Sequence, residues 1–454
     1  MSVTRNTPFK DLRLGQEGEL RRLVTTSDLD LARALLGASV TIEGKPGTAS
    51  ARTAGALMTR LLVAQFPGPG TDILAEDYRY SGGTAVGEEV RATAKITSLD
   101  PVGGTAALEC RVVTARGETL VSGTAVVRPA RESREDDDGG RHAMLPRELH
   151  VFADLLALCA GLPPVPTAVV HSCDRESVLG PWQAARKGLI TPIFVGPRAK
   201  VLAAAEAAEV DISAFELVDA PHSHAAAEEG VGLVRAGRAA ALMKGSLHTD
   251  ELMAAMVRSE AGIRTERRVS HVFVMDVPAY PRALLITDAA INIAPDLATK
   301  RDIVLNAIDL ALVMGIANPR IAILSAVETV NPKSPSTLDA AALCKMADRG
   351  QIKGGLLDGP LAFDNAISEA AAQVKGIVSP VAGRADVLLA PDMEAGNMIA
   401  KQLSYLAGAD SAGIVMGLRV PVALTSRSDG AQARLASCAL LALVAAKLAK
   451  TVRV

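Results

Sequence analysis

The stretch that decides the fold is Ser379–Asn397, with the sequence SPVAGRADVLLAPDMEAGN. A short apolar run, Val387–Ala390, is followed by the turn Pro391–Asn397, and a helical pattern begins near Asn397. A short apolar run bounded by turn residues is typical of a buried strand in a parallel sheet. The segment is therefore predicted to be one strand–turn–helix unit of an α/β domain.

The same alternation extends over the C-terminal two thirds of the chain. The apolar runs predicted as strands are Thr167–His171, Ile193–Val195, Ala239–Met243, Ala283–Thr287, Ile321–Ser325, Gly355–Leu357 and Val387–Ala390. The predicted helices include Ser177–Gly188, Ala199–Ala208, His224–Ala236, Lys300–Met314 and Asn397–Leu406. Strands at helix-length intervals predict a parallel sheet with crossover helices. Because single cores rarely grow beyond about 250–300 residues, we expect two lobes with a cleft between them.

The N-terminal part has a different pattern, with one helix and several strands. The predicted elements are a helix at Thr53–Gln65 and strands at Asp77–Ser81, Glu89–Ser98, Thr105–Thr114 and Thr119–Arg128. The last three strands are predicted to form an antiparallel meander, which gives an α+β layout.

A charged stretch separates the two parts. Arg131–Arg141, with the sequence RESREDDDGGR, has no apolar periodicity and is predicted to be a solvated linker. The predicted division is residues 1–130, a linker at 131–145 and residues 146–454.

Composition excludes several classes of function. The 48 basic and 50 acidic residues give a net charge of −2, which provides no electrostatic footprint for nucleic acid. The five cysteines are scattered and form no C-x-x-C pair, so we expect no zinc or other metal site, no disulfide framework and a cytoplasmic location. No signal peptide is expected at Met1–Asp11, and the apolar tail Leu435–Ala449 is expected to be a packed helix rather than a membrane span.

Candidate ligand contacts follow from the turns after predicted strands, because ligands on open α/β sheets bind beyond strand carboxyl ends. Asp392, Gly396 and Asn397 lie in such a turn, where helix N-termini attract anions and glycine permits close approach. Ser426 and Arg427 follow another apolar run, and an arginine there can grip phosphate through two hydrogen bonds. By itself, a Ser-Arg pair is more typical of a helix-capping serine and a surface arginine than of a binding site, but its position after this apolar run favours a functional role.

Two further turns add candidates. Lys244 and Ser246 follow a predicted strand and could bind an anion, whereas Asp288 and Asn292 follow another and could line a pocket. His171 ends a third strand, where it could face the cleft or be structural.

Several of these segments together resemble the phosphate acetyl/butyryl transferase family. They are Ser379–Gly383, Pro391–Asn397, Val420–Arg427 and Asp358–Asp364, together with Asn331–Lys333 and Thr287–Ile293, which look more like the butyryl branch. The resemblance covers roughly residues 146–454. It implies a two-lobed α/β domain of the isopropylmalate-dehydrogenase-like type, with coenzyme A between the lobes, and a homodimer or higher homo-oligomer.

The resemblance also implies the activity: reversible transfer of a short acyl group, acetyl or butyryl, between coenzyme A and inorganic phosphate. The reaction proceeds in this family without a covalent acyl-enzyme and needs no cofactor, since coenzyme A is a substrate. A base must help to form the thiolate, and donors must stabilise the oxyanion of the tetrahedral intermediate.

Site residues carry over by position. Ser426 and Arg427 match the family's Ser-Arg and inherit contact with the oxyanion or acyl phosphate. Asp429 is the nearest candidate for the catalytic acid, but the acetyl branch has it farther along, at Gln432 and Ala433 of this chain. Asp429 as the base and Asp429 as a helix cap therefore both stay open. The candidate substrate-binding residues are Ser379, Gly383, Asp392, Gly396, Asn397, Lys244, Ser246, Asp288 and Asn292.

The N-terminal part resembles the MaoC-like hot-dog hydratases. The resemblance lies in Pro67–Thr71, Asp77–Ser81, Val86–Val90 and the meander. Those hydratases use an Asp and a His before a central helix, but Gly37–Gly47 has neither, and His142 is the first histidine of the chain. We therefore expect no hydratase activity, and a role in dimerisation or acyl-CoA binding.

Two other functions fit the sequence less well. A non-catalytic acyl-CoA-binding scaffold would not require the Ser426-Arg427 pair after an apolar run, and the presence of this pair argues against that function. An NAD-dependent decarboxylating dehydrogenase of similar fold would require clustered Asp residues as metal ligands and a catalytic Tyr–Lys pair. With only 4 tyrosines in the chain, no such set of residues is recognisable.

Overall fold

The computed structural model describes residues 4–24, 48–85, 87–133, 135–136, 151–425 and 429–451. The chain divides into two compact units, Met1–Glu148 and Leu149–Val454. The segment at residues 37–47, which lacks the hydratase pair, and His142 lie outside the described residues.

The first unit is an antiparallel sheet with one long helix. Its elements are β1 (Thr4–Arg5), a 3-10 turn (Phe9–Asp11), β2 (Glu17–Leu23), β3 (Thr48–Ser50), α1 (Ala51–Ala64), β4 (Asp72–Tyr80), β5 (Gly83–Ala85), β6 (Glu89–Asp100), β7 (Thr105–Thr114), β8 (Thr119–Arg128) and β9 (Glu135–Asp136). Five strands form a sheet in the order β2-β6-β7-β8-β4, with every neighbouring pair antiparallel. The predicted meander and α+β layout are confirmed.

The core of this unit explains the helix. Met58, Leu61 and Leu62 of α1 are fully buried, as is Leu108 of β7. Helical spacing places these side chains of α1 on one face, where they pack with alternate side chains of the sheet.

The predicted linker is not wholly without structure. Arg5 donates from its Nε to the Ser133 hydroxyl at 2.8 Å, and β9 pairs with β1. The stretch was predicted as a solvated linker because it lacks apolar periodicity, but backbone pairing does not require apolar side chains. Residues 137–150 lie outside the described ranges.

The second unit is an α/β structure built on one large sheet. Its strands are β10 (Val165–Val170), β11 (Ile190–Gly196), β12 (Glu216–Asp219), β13 (Ala241–Lys244), β14 (Ser270–Asp276), β15 (Leu284–Thr287), β16 (Arg320–Leu324), β17 (Leu356–Leu361), β18 (Val387–Leu389), β19 (Asp410–Met416) and β20 (Val422–Ala423). Its helices are α2 (Val151–Leu158), α3 (Arg175–Arg186), α4 (Arg198–Ala207), α5 (Ser223–Arg235), α6 (Thr249–Met256), α7 (Leu297–Val313), α8 (Pro335–Asp348), α9 (Phe363–Ile367), α10 (Glu369–Val374), α11 (Met393–Leu406) and α12 (Ala431–Thr451).

The strand directions differ from the prediction of a parallel sheet. The eleven strands have the order β12-β11-β10-β13-β20-β19-β14-β15-β18-β16-β17, and β14 is antiparallel to both of its neighbours, as is β19. The sheet is therefore mixed. The carboxyl ends of β10, β13 and β20 lie at one edge, and those of β15, β16 and β18 lie at the opposite edge.

The two faces of this sheet are covered differently. One continuous apolar cluster covers the first face and includes Val169, Met243, Val272 and Leu389. The other face has two separate clusters, one over β10, β13 and β20 and one over β15, β16 and β18. A division into two lobes is therefore visible on the second face only, while the sheet itself is shared.

The apolar C-terminal stretch forms α12. Among the described helices, Ala431–Lys450 is long and apolar enough to cross a membrane by length and composition. However, 56% of the most apolar stretch of this helix is buried within the protein. Cys438, Leu440 and Leu441 are fully buried in the core. The predicted packed helix is confirmed.

Candidate active site

Three neighbouring strands place one group of predicted residues at the same edge of the sheet. Val170 is in register with Lys244, and Met243 with Ala423. The residues that follow these strands are therefore adjacent, so the structure brings Ser246 and Thr425 to one edge.

Ser246 ties the loop after β13 to the loop after β10. Its hydroxyl donates to the backbone oxygen of His171 at 2.7 Å and accepts from the backbone N–H of Cys173 at 3.1 Å. Its Oγ also lies 3.4 Å from Nδ1 of His171. Gly245 permits this approach, because a Cβ there would lie 2.5 Å from the Val170 carbonyl oxygen. Ser246 is thus committed to loop contacts, and His171 is part of the same cluster.

Lys244 places a buried positive charge at this edge. It is 3% exposed, and its Nζ donates to the Gly245 carbonyl at the long distance of 3.5 Å. An ammonium group buried this deeply requires compensating polar partners or an anion. The location at a strand end is that expected of an anion-binding residue.

The Ser-Arg pair follows β20. Ser426, Arg427 and Ser428 lie outside the described residues, whereas Thr425 and Asp429 on either side are described. Thr425 is 2% exposed, and Asp429 is half-buried and lies just before α12.

A second group of predicted residues lies at the opposite edge, after β15. The Asp288 carboxylate, 2% exposed, accepts from the backbone N–H groups of His271 (3.3 Å), Ala290 (3.0 Å), Ile291 (3.1 Å) and Asn292 (3.1 Å). It also accepts from Nδ2 of Asn292 at 2.5 Å. These contacts commit Asp288 and Asn292 to building the turn.

The segment after β18 packs on this turn. Asp392 caps α11 by accepting from the backbone N–H of Ala395 at 2.8 Å, so the helix begins at Met393 and the predicted start near Asn397 was wrong. A Cβ at Gly396 would lie 2.4 Å from the Asp288 carbonyl oxygen, and Asn397 donates from Nδ2 to the Ala289 carbonyl at 2.9 Å. The structure therefore brings two predicted turns together.

Ser379 and Gly383 lie at the other end of β18, in the loop before it. Ser379 accepts at its hydroxyl from the backbone N–H groups of Val381 (3.0 Å) and Ala382 (3.1 Å). Gly383 has a positive φ of 79° and donates to the Asn365 carbonyl at 2.7 Å. No hydrogen bond joins this loop to Asp392 within the described residues.

His271 connects the two edges, and sequence reasoning missed it. It is fully buried on β14, and neither ring nitrogen has a hydrogen-bond partner among the described residues. Burial lowers the pKa of His271 to about 4, although the negative charge of Asp288 acts in the opposite direction. A Cβ at Gly413 would lie 2.9 Å from its Nε2. A histidine inside an apolar run was the available signal.

A cavity is lined by a different set of residues. It has a volume of about 440 Å³ and is lined mostly by apolar side chains, with Thr265, Arg267, Asn306 and Lys447 among its polar residues. None of the predicted site residues in the described part of the chain lines it.

Comparison with known proteins gives consistent results. A sequence profile described as phosphate acetyl/butaryl transferase matches residues 223–442. The chain is 58% identical over 302 residues to a phosphate acetyltransferase of Rhizobium meliloti, covering 66% of this chain and 96% of that protein. It is 44% identical over 278 residues to a phosphate butyryltransferase of Clostridium acetobutylicum, covering 61% of this chain and 92% of that protein.

A solved structure is similar over the same share of the chain. A branched-chain phosphotransacylase from Enterococcus faecalis V583 is 31% identical, covers 62% of this chain and 99% of that one, and has a TM-score of 0.54.

Proposed function

Because this chain belongs to the phosphate acetyl/butyryl transferase family, we propose that it transfers a short acyl group reversibly between coenzyme A and inorganic phosphate. The observation that carries this conclusion is the match to nearly the whole length of a phosphate acetyltransferase. Acetyl and butyryl groups are both retained as substrates. They differ by two methylenes, which change binding in a pocket by only about 1–3 kcal/mol each.

The reaction sets clear demands on the site. In one direction a phosphate oxygen attacks the thioester carbonyl carbon, and the tetrahedral intermediate collapses with cleavage of the C–S bond. The coenzyme A thiolate then leaves and takes up a proton. In the other direction a base removes the thiol proton, and the thiolate attacks the acyl phosphate, releasing phosphate.

We assign these roles to the loop after β20. Arg427 neutralises the phosphate or the developing oxyanion, Ser426 donates a hydrogen bond to it, and Asp429 exchanges the thiol proton. Lys244, buried at the neighbouring strand end, attracts the anionic substrate. Ser246 holds the loop beside it.

The remaining candidates are proposed to act indirectly. Asp288, Asn292, Asp392, Gly396 and Asn397 build two packed turns at the opposite edge of the sheet, and we propose that they keep this part of the second unit rigid. Ser379 and Gly383 shape the loop before β18 and could approach substrate at the first edge of the sheet.

The first unit is proposed to be a MaoC-like hot-dog domain without hydratase activity. Its support is one helix packed on a five-stranded antiparallel sheet and the absence of a histidine before His142. We propose that it contributes to a homodimer, that the second unit has the isopropylmalate-dehydrogenase-like fold, and that the protein is cytoplasmic, in line with its free cysteines. Incubation with crotonyl-CoA should give no hydration, and clear turnover would overturn this assignment.

The central experiment measures free thiol released from acetyl-CoA and butyryl-CoA with and without phosphate. Release should depend on phosphate and should form acyl phosphate. Arg427→Ala should lose most of the activity while keeping the circular dichroism spectrum, and Ser426→Ala should lose about 10²–10³-fold in kcat. Arg238→Ala is the matched control, because Arg238 makes an exposed ion pair with Glu216.

The alternatives make different predictions. A non-catalytic scaffold would bind coenzyme A without phosphate-dependent release. A decarboxylating dehydrogenase would reduce NAD with a hydroxy acid and would not respond to phosphate.

A further inference from the structure

Arg434 of α12 is one of the largest fully buried side chains in the described part of the protein. It is 1% exposed. Its Nη1 donates to the Thr425 hydroxyl at 3.0 Å, and its Nε donates to the Asp429 carbonyl oxygen at 3.3 Å. One guanidinium group therefore contacts the last residue before the Ser426–Ser428 tripeptide and the first residue after it.

The neighbouring helix is shaped to receive this side chain. A Cβ added to Gly180 of α3 would lie 2.7 Å from the Cβ of Arg434 and 2.8 Å from its Cδ. Glycine weakens a helix interior relative to alanine, so its position against the arginine stem has a packing reason. The site for Arg434 is thus formed jointly by two helices and the loop after β20.

Carboxylates of α3 and its N-cap, and of the loop after β20, compensate the buried positive charge of Arg434. Burial lowers the pKa of Arg434, whereas the carboxylates of Asp174, Asp429 and Glu176 raise it. An arginine remains protonated under such conditions, and a buried cation must be paired or hydrogen-bonded to be tolerated. Arg434 is therefore retained at a cost in desolvation that an apolar side chain would avoid.

We propose that Arg434 is a positioning residue that holds the Thr425 side chain and the Asp429 backbone, the two residues that flank Ser426–Ser428 in the chain. Its effect on catalysis rests on the proposed function of that pair. A planar guanidinium can fix two points because its donors have fixed geometry, which a lysine ammonium lacks. A displacement of reacting groups by about 1 Å can cost on the order of 100-fold in rate.

Two measurements test the proposal on the full chain. The first is the rate of tryptic cleavage of the Arg427–Ser428 bond under native conditions, identified by mass spectrometry of the fragments. The second is kcat and KM for phosphate-dependent thiol release. The variants are Arg434→Met, Arg434→Lys, Thr425→Val and the double change Thr425→Val/Arg434→Met, with Arg238→Met as the exposed control.

We expect cleavage after Arg427 to accelerate at least tenfold in each variant, while cleavage at other sites is unchanged. We expect kcat to fall at least tenfold and KM for acyl-CoA to change less than threefold. Arg434→Lys should behave like Arg434→Met, because a retained charge does not replace two-point fixation. The double variant should be no worse than Arg434→Met, since both changes remove the same contact.

Several results would overturn the proposal. They are unchanged cleavage after Arg427, full activity of Arg434→Lys, or losses in the double variant that multiply. If Arg434→Met does not fold, Thr425→Val decides alone, because it keeps the side-chain shape and removes only the hydroxyl that accepts from Arg434. Cleavage does not depend on acyl transfer. If the wild-type protein is inactive but its variants are cleaved faster, the proposed function and the predicted effect of Arg434 on catalysis are refuted. The same result supports the proposal that Arg434 holds Thr425 and Asp429 in place.

Discussion

The backbone N–H of His271 donates to the carboxylate of Asp288 at 3.3 Å, and both side chains are buried. This contact joins the strand β14 to the turn after the antiparallel strand β15. The ring of the same histidine lies against Gly413 of β19, on the other side of β14. His271 therefore occupies the centre of the shared sheet, between the two apolar clusters of its second face.

The buried imidazole should make stability depend on pH. The pKa of His271 is lowered to about 4 by burial, against 6.5 in an unfolded chain. Between these values the unfolded state binds more protons, so this contribution is fully present above pH 6.5 and is lost as pH falls towards 4. At pH 5 the loss should be about 2 kcal/mol.

Urea unfolding of the wild-type protein and His271→Leu at pH 7 and pH 5 measures this loss. The difference in unfolding free energy between the two proteins should shift by about 2 kcal/mol in favour of the variant at pH 5. His224→Ala, at an exposed histidine, should retain the wild-type pH dependence. A pH dependence in His271→Leu equal to that of the wild type would contradict the assignment.

Asp288→Asn should destabilise the second unit. The carboxylate accepts four hydrogen bonds from its own turn and one from His271 of β14, whereas an amide presents one acceptor oxygen and places donors against donors. We expect a loss of about 2–4 kcal/mol in the free energy of unfolding, measured in urea. Asp348→Asn is the control, because Asp348 forms an exposed pair with Lys345 and should change stability by less than about 1 kcal/mol. Equal effects of the two changes would argue against a structural role for the carboxylate.

Two glycine-to-alanine changes in helices should have opposite signs. At Gly396 a Cβ would lie 2.4 Å from the Asp288 carbonyl oxygen, whereas at Gly232 nothing lies within 4 Å. Gly396→Ala should lose about 1–3 kcal/mol through overpacking, and Gly232→Ala should gain about 0.5–1 kcal/mol through helix propensity. Thermal unfolding of both variants checks the prediction, which fails if the two melting temperatures move in the same direction.

Lys244→Met should weaken the binding of the anionic substrate. Lys244 is buried at the strand end beside the proposed site, and a hydrogen bond to a charged group is worth about 1.5–3 kcal/mol. The KM for phosphate should therefore rise about tenfold or more. Lys345→Met removes an exposed ammonium group and should leave KM unchanged. A folded Lys244→Met variant with the wild-type KM would exclude Lys244 from anion binding.

Local pattern predicted most elements of both units. The strands Thr105–Thr114 and Thr119–Arg128 were predicted with the observed bounds, because their alternation and flanking turns are strong local signals. The strands β14 and β19 were missed. His271 lies directly before the apolar residues of β14, and Gly413 interrupts those of β19. Their antiparallel placement made the predicted parallel sheet wrong.

The candidate site, too, was determined partly by the sequence and partly by the tertiary structure. The sequence alone determined which turns carry chemical groups, since each follows an apolar run or carries a recognisable motif, as in Lys244–Ser246 and Pro391–Asn397. Tertiary structure decided which groups are already occupied: the Asp288 carboxylate by its turn, and the Ser246 hydroxyl by His171. It also decided that Arg434 is buried against Thr425 and that His271 lies between two edges of one sheet. The physical reason is that burial and hydrogen bonding depend on residues distant in the chain, whereas periodicity and turn chemistry are local.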